Sequence, residues 1–210
     1  MDDKRRLILD QALALVDERG LAAMSMRAVA ERVGLTSMAL YPYVGGKDAL
    51  LDGLVDLLHL ELGTAFGDPA ELDPAGIDWR RRLRALSRAV RALAHAHPSA
   101  FPLLLTRSAA GASASWLAAA LRGILHDAGV RAPDVPRIAR MICALLLGYL
   151  TGEVTGGLPV AENPLEPDAE FDADLDDLIA LVESVSVRSG AGSGTPSRRD
   201  RPGSPAEPRR

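Results

Sequence analysis

Between Ser25 and Lys47 the chain reads SMRAVAERVGLTSMALYPYVGGK, and this spacing permits little besides two short helices crossing closely through a tight turn. Ala28, Val29, Ala30 and Val33 give the first helix an apolar face, with Ala30 small where a second helix must cross. Gly34, four residues later, can take the left-handed conformation that ends a helix, and Leu35 and Leu40 supply the second helix with residues facing the first. That arrangement turns the other face of the second helix outward. Thr36, Ser37, Met38, Ala39, Tyr41 and Tyr43 lie there: small, hydroxylated or aromatic side chains of the kind that reach base edges, thymine methyls and phosphates in a major groove. Ser25 and Arg27 flank the pair, and Lys47 follows as a phosphate-anchoring charge.

Composition fits an all-α protein. Of 210 residues 48% are hydrophobic but only 4% aromatic, so the core must be built from Ala, Leu and Val, with few strand-type alternations. The net charge of −4 does not advertise a nucleic-acid partner. Within residues 25–47, however, Arg27, Arg32 and Lys47 oppose only Glu31, so a locally positive face is expected on an acidic protein.

Helices are expected over about residues 4–18 (Leu7, Ile8, Ala12, Leu15 and Val16 on one side), 47–66, 79–97, 113–128, 135–152 and 171–187. Ser25 is a plausible N-cap for the first reading helix, and Thr36 or Ser37 for the second. Residues 67–78 and the stretch GGLPVAENPLEPDA have loop composition. The arginines of 79–97 read as a solvated face paired with acids rather than a second nucleic-acid surface. Residues 188–210 carry six Arg against two acids and almost no apolar residue but alanine, a disordered tail.

The first sixty or so residues resemble the DNA-binding domain of the TetR family of transcriptional regulators. Three features agree in order: the amphipathic RRLILDQALALVDERG, then SMRAVAERVGLTSMALYPYV, then KDALLDGLVDLL. WRRRLRALSRAVRALAHAHPSAFPLLLTR and the apolar helix after it are similar to the effector-binding and dimerisation domain of the tetracycline-repressor branch. The chain departs from the family at Pro42 and Tyr43, where a polar or bulky aromatic residue followed by His is usual. The resemblance implies a helix-turn-helix domain at 1–47 (motif 25–44), a connecting helix at 48–66, an effector-binding and dimerisation domain at 67–187 and the tail. It also implies a homodimer on a palindromic operator in double-stranded DNA, with repression relieved by a small-molecule effector. No cofactor is expected.

For the effector, Phe66, Phe101, Trp116, Met141 and Tyr149 are candidate walls, and His59, Thr106 and Arg107 candidate polar anchors. Leu103 stands where the tetracycline-repressor branch places a metal-chelate histidine, so an apolar effector fits better than a tetracycline–magnesium chelate. The rival reading is a helical small-molecule-binding or catalytic protein with a merely structural helix-turn-helix. Against catalysis, GASAS at 111–115 lacks the last glycine of a nucleophile elbow, and no GxxxxGK[ST] loop occurs. His95 and His97 point about 200° apart on a helix, which disfavours a shared metal. Cys143, the single cysteine, allows no intramolecular disulfide and reads as a small buried residue. The apolar run 138–150 contains Arg140 and is too short to cross a bilayer; with no signal segment at the N-terminus, a cytoplasmic protein without a membrane span is expected.

Overall fold

The computed structural model describes residues 3–66, 78–107, 112–158 and 166–191, and the side chains of 112–115 and 189–191 are not part of that description. Helices follow one another as α1 (Asp3–Arg19), a 3₁₀ turn (Leu21–Ala23), α2 (Met26–Arg32), α3 (Ser37–Val44), α4 (Lys47–Phe66), α5 (Trp79–Ala96), α6 (Leu103–Thr106), α7 (Ala112–Asp127), α8 (Val135–Thr155) and α9 (Pro167–Ala191). The fold is all-α: among the described residues there is no strand. The loops expected around residue 70 and residue 162 fall largely outside the described residues, as do positions 192–210 of the expected tail; the last helix runs four residues past Val187.

α1 buries Ile8, Leu9, Ala12, Leu13, Leu15 and Val16, but Leu7 is 53% exposed, against the expectation that it shares this face. Leu9 takes the inward position instead, lying so close to α4 that a Cβ on Gly53 would come within 2.5 Å of its Cδ2. A larger residue at that crossing would have to push the Leu9 side chain aside. α4 is shared. It packs on α1 and α3, and also on α5 and α7, through Leu50, Leu54, Leu58, Leu62 and Phe66.

Asp78 caps α5, its carboxylate accepting from the Arg80 and Arg81 backbone N–H at 3.0 and 3.3 Å. Trp79, Leu83, Leu86, Val90 and Leu93 face inward as their spacing requires. The arginines of α5 meet acids. Arg88 reaches Asp172 at 2.7 Å, Arg91 reaches Glu153 and Asp168 at 2.6 and 2.7 Å, and Arg80, Arg84 and Arg82 pair with Glu183, Asp176 and Asp127. They knit α5 to α7, α8 and α9, each exposed pair contributing at most about 1 kcal/mol. His95 and His97 also meet acids rather than each other: His95 Nε2 lies 3.3 Å from Glu153, and His97 ties α5 to Asp17 of α1 (2.8 Å) and Glu61 of α4 (3.1 Å).

α8 corrects the length argument made from the sequence. The helix continues beyond the apolar run to 21 residues, long and apolar enough by length and composition to cross a membrane. Ile138, Ala139, Ile142, Leu146 and Leu150 are instead buried within the bundle. Cys143 is half-buried on this helix, and burial pushes its thiol pKa up.

Candidate DNA-reading and ligand sites

The turn between α2 and α3 is a Schellman closure. Gly34 has φ +69°, its N–H donates to Glu31 O at 3.3 Å, and the Leu35 N–H donates to Ala30 O at 2.9 Å. Both flanking helices are capped from within the motif: Ser25 Oγ accepts from the Ala28 N–H at 3.1 Å, and Thr36 Oγ1 accepts from the Ala39 N–H at 3.2 Å. Leu40 and Val44 seat α3 in the core. Pro42 does not end the helix; α3 runs on to Val44 and closes at Gly45, whose φ is +74°.

On the outer face Met38 is 78% exposed, and Ala39 and Tyr41 are exposed beside the half-buried Ser37. Tyr43 is half-buried and packs against the core, with Lys4 Nζ 4.9 Å from its ring centroid. Lys4 is thus brought to the end of α3 across nearly forty residues of chain, a pairing that no local spacing signals. The expected positive charge is distributed differently from the sequence reading. Arg27 pairs with Glu31 at 2.8 Å, and Arg32 turns to α1, forking onto Glu18 and donating to Gln11 at 3.1 Å. Lys47 is exposed and makes no ion pair among the described residues.

The candidate effector residues fall in four places rather than one. His59 and Phe66 lie buried on α4, and Phe66 meets Trp116 of α7 edge-on with ring centroids 5.4 Å apart. Phe101 is wholly buried core. Thr106 is exposed and donates to Pro102 O at 3.2 Å, while Arg107 is turned onto α4, bonding Asp48 at 2.7 Å and Asp52 at 3.2 Å. Met141 is exposed on the outer side of α8, and Tyr149 packs beside Phe171 with centroids 6.2 Å apart. Phe66 and Trp116 are thus brought into ring contact, while Met141 and Tyr149 face the α8–α9 side.

Burial lowers the pKa of His59, against the opposing pull of Asp56, and keeps the imidazole neutral at neutral pH. Burial, with a hydrogen bond to Asp174 and the nearby acids of α8 and α9, pushes Tyr149 up to about 12.

Two openings in the surface take in some of these candidates. A crevice of about 270 Å³ opens between α4, α5 and α7, lined by Phe66, Arg82, Trp116, Ala119, Ala120 and Gly123. An apolar groove of about 480 Å³ runs between α8 and α9, lined by Ile138, Met141, Leu145, Leu178, Leu181 and Val185.

Residues 8–54 match the family profile of bacterial regulatory proteins, tetR family, and residues 83–178 match the tetracyclin repressor-like C-terminal domain. The chain is similar to the HTH-type transcriptional repressor DrrR1 of Streptomyces coeruleorubidus, at 30% identity over 167 residues covering 78% of this chain and 58% of that protein. An HTH-type transcriptional regulator of Saccharopolyspora erythraea is 29% identical over 146 residues, 70% of this chain and 59% of its own length. The chain thus spans less than two thirds of the length of these curated relatives. Among solved structures, BioQ with its double-stranded DNA operator superposes with a TM-score of 0.69 at 21% identity, over 86% of this chain and 98% of that one. ActR from Streptomyces coelicolor in complex with actinorhodin gives 0.67 at 20% identity, over 87% and 97%. At such identities the likeness is one of fold. The two family profiles together take in more than half of the 210 residues, on the helices that carry the turn motif and the bundle, and the chain belongs to the TetR family of bacterial regulators.

Proposed function

We propose that the chain is a ligand-responsive, DNA-binding transcriptional regulator, a repressor that leaves a palindromic operator when a small molecule binds. The carrying observation is α3: held inward by Leu40 and Val44, it presents Met38, Ala39 and Tyr41 outward beside the unpaired Lys47. A side-chain face of that size and polarity suits a major groove, with Lys47, Lys4 and the exposed end of α1 within the province of phosphates. The relatives are named as regulators and repressors, which supports regulation rather than catalysis.

One reading helix gives limited specificity, and two half-sites about 34 Å apart need a symmetric dimer. The α8–α9 groove supplies its surface: Met141, Leu145, Leu181 and Val187 are exposed apolar side chains on two adjacent helices, and a second copy would bury them as a four-helix bundle. Residues 1–47 act as the reading head, 48–66 as the connecting helix and 67–187 as the effector and dimer unit, with 188–210 a dispensable tail. Effector binding near His59 and Phe66 shifts α4, which touches both halves, and so changes the separation of the two reading helices. The test is a mobility-shift assay with the DNA flanking the chain's own gene. A retarded, competitor-resistant complex is expected, and binding no stronger than to unrelated DNA would overturn the reading.

A further inference from the structure

The α4–α5–α7 crevice holds a polar atom that none of the described residues satisfies. Arg82 Nε is buried without a hydrogen-bond partner among them, an arrangement that is costly unless something else supplies the bond. Asp56, His59, Gly63 and Phe66 recur at steps of three and four along one face of α4. That face meets α7, since the Trp116 indole lies 3.7 Å from where a Cβ on Gly63 would stand. Phe66 and Trp116 form an aromatic corner, and Ala119, Ala120 and Gly123 leave the α7 backbone open to a flat ring.

The charges at this site are already cancelled. Arg82 donates from one terminal nitrogen to Asp127. Burial alone would raise the pKa of Asp127, but its hydrogen bonds from Arg82 and His126 hold it below the ordinary carboxylate value. An ionic ligand would therefore enter an aromatic crevice whose charged lining residue, Arg82, is already paired, at a desolvation cost nothing repays. What the crevice lacks is an acceptor for the Arg82 Nε–H.

We propose that this crevice binds a flat, uncharged aromatic molecule bearing a carbonyl-type oxygen, with the oxygen accepting from Arg82 Nε and the rings lying between the Phe66–Trp116 corner and the Ala119–Gly123 strip. This rests on the reading of the chain as an effector-responsive regulator and specifies the effector's chemistry. Because Phe66 belongs to α4, the occupied crevice bears directly on the helix that follows the reading head.

Fluorenone, fluorene and fluorenone carboxylate are matched probes: one skeleton with an acceptor, without it, and with a charge. The chain has two tryptophans, so a Trp79→Phe background leaves Trp116 as the reporter. Fluorenone is expected to quench Trp116 saturably and to bind about tenfold more tightly than fluorene, the worth of one hydrogen bond, with the carboxylate weaker than fluorenone. Arg82→Lys keeps the charge facing Asp127 but removes the Nε–H, and should bring fluorenone to within about twofold of fluorene while leaving fluorene unchanged. Gly123→Leu, at a position where an added Cβ meets nothing within 4 Å, should abolish quenching by both. No saturable quenching, equal binding of fluorenone and fluorene, a tighter carboxylate, or discrimination that survives Arg82→Lys would each overturn the proposal. Operator affinity is measured separately on the same samples. Discriminating binding that leaves DNA affinity unchanged would uphold the site and remove its regulatory reading, whereas release by a compound that does not touch Trp116 would do the reverse.

Discussion

Arg107 Nη2 stands 2.7 Å from Asp48 Oδ1, joining the end of α6 to the first turn of α4, one residue beyond Lys47. With its second bond, from Nε to Asp52 at 3.2 Å, the guanidinium straddles one turn of the helix that leads out of the reading head. Arg107 is thus a tie between the two halves of the molecule. Asp48 is almost fully exposed, so the pair contributes little to stability, at most about 1 kcal/mol. Arg107→Ala should therefore leave the melting temperature and operator affinity close to wild type and weaken effector-induced release. Loss of operator binding itself in a folded Arg107→Ala protein would show that the tie holds the reading head in place instead.

On the proposed dimer surface, exposed and core positions lie one or two residues apart. Leu145 is 51% exposed and Leu146 4%, and on α9 Leu181 is 60% exposed where Ile179 is buried. Leu145→Glu and Leu181→Glu should give folded monomers by light scattering with native helix content. Leu146→Glu should instead unfold the chain, because an unpaired buried charge costs several kcal/mol. A dimeric Leu145→Glu/Leu181→Glu protein would place the interface elsewhere.

Thr36 serves as the N-cap of α3, and its loss therefore acts first on stability. Thr36→Ala should destabilise by about 1 kcal/mol in urea unfolding, and Thr36→Ser should recover most of that. If Thr36→Ala unfolds like wild type but changes sequence preference, the hydroxyl is a base contact in the complex.

His59 sets a pH dependence whose sign follows from its burial. In the unfolded chain it takes a proton near pH 6.5, whereas the folded imidazole, with its pKa lowered, does not. Its contribution is present above pH 6.5 and is lost as the pH falls toward the folded value. His59→Leu should lose less stability than wild type on acidification through this window, as read by urea midpoints at each pH. Identical pH slopes would mean that His59 titrates as it does in the unfolded chain.

The sequence made the helices legible because their apolar steps of three and four are long and regular, and Gly34, Ser25 and Thr36 announced the turn and its caps. It could not assign faces where a helix is apolar on several sides. In α8 nothing distinguishes Leu145 from Leu146 until neighbours are placed, and in α1 Leu7 and Leu9 are equally hydrophobic candidates. Ion pairs were legible only as a class. That the α5 arginines meet acids followed from composition, but Arg32 turning to Glu18, Arg107 to Asp48 and Lys4 to Tyr43 depend on separations that only the tertiary fold closes. Arg82 had no sequence signal at all, since its orphaned Nε exists only once α4 and α7 are packed beside it.

The central claim, that α3 of a dimer reads DNA with Lys47 on the phosphates, is tested most directly by the salt dependence of binding to the chain's own upstream DNA, measured by fluorescence anisotropy. Two Lys47 side chains, one per half-site, contribute two phosphate contacts. Lys47→Ala should therefore weaken binding to specific and unrelated DNA alike and reduce the slope of log K against log salt by about two. An unchanged slope, or a Lys47→Ala protein that loses only sequence preference, would contradict it.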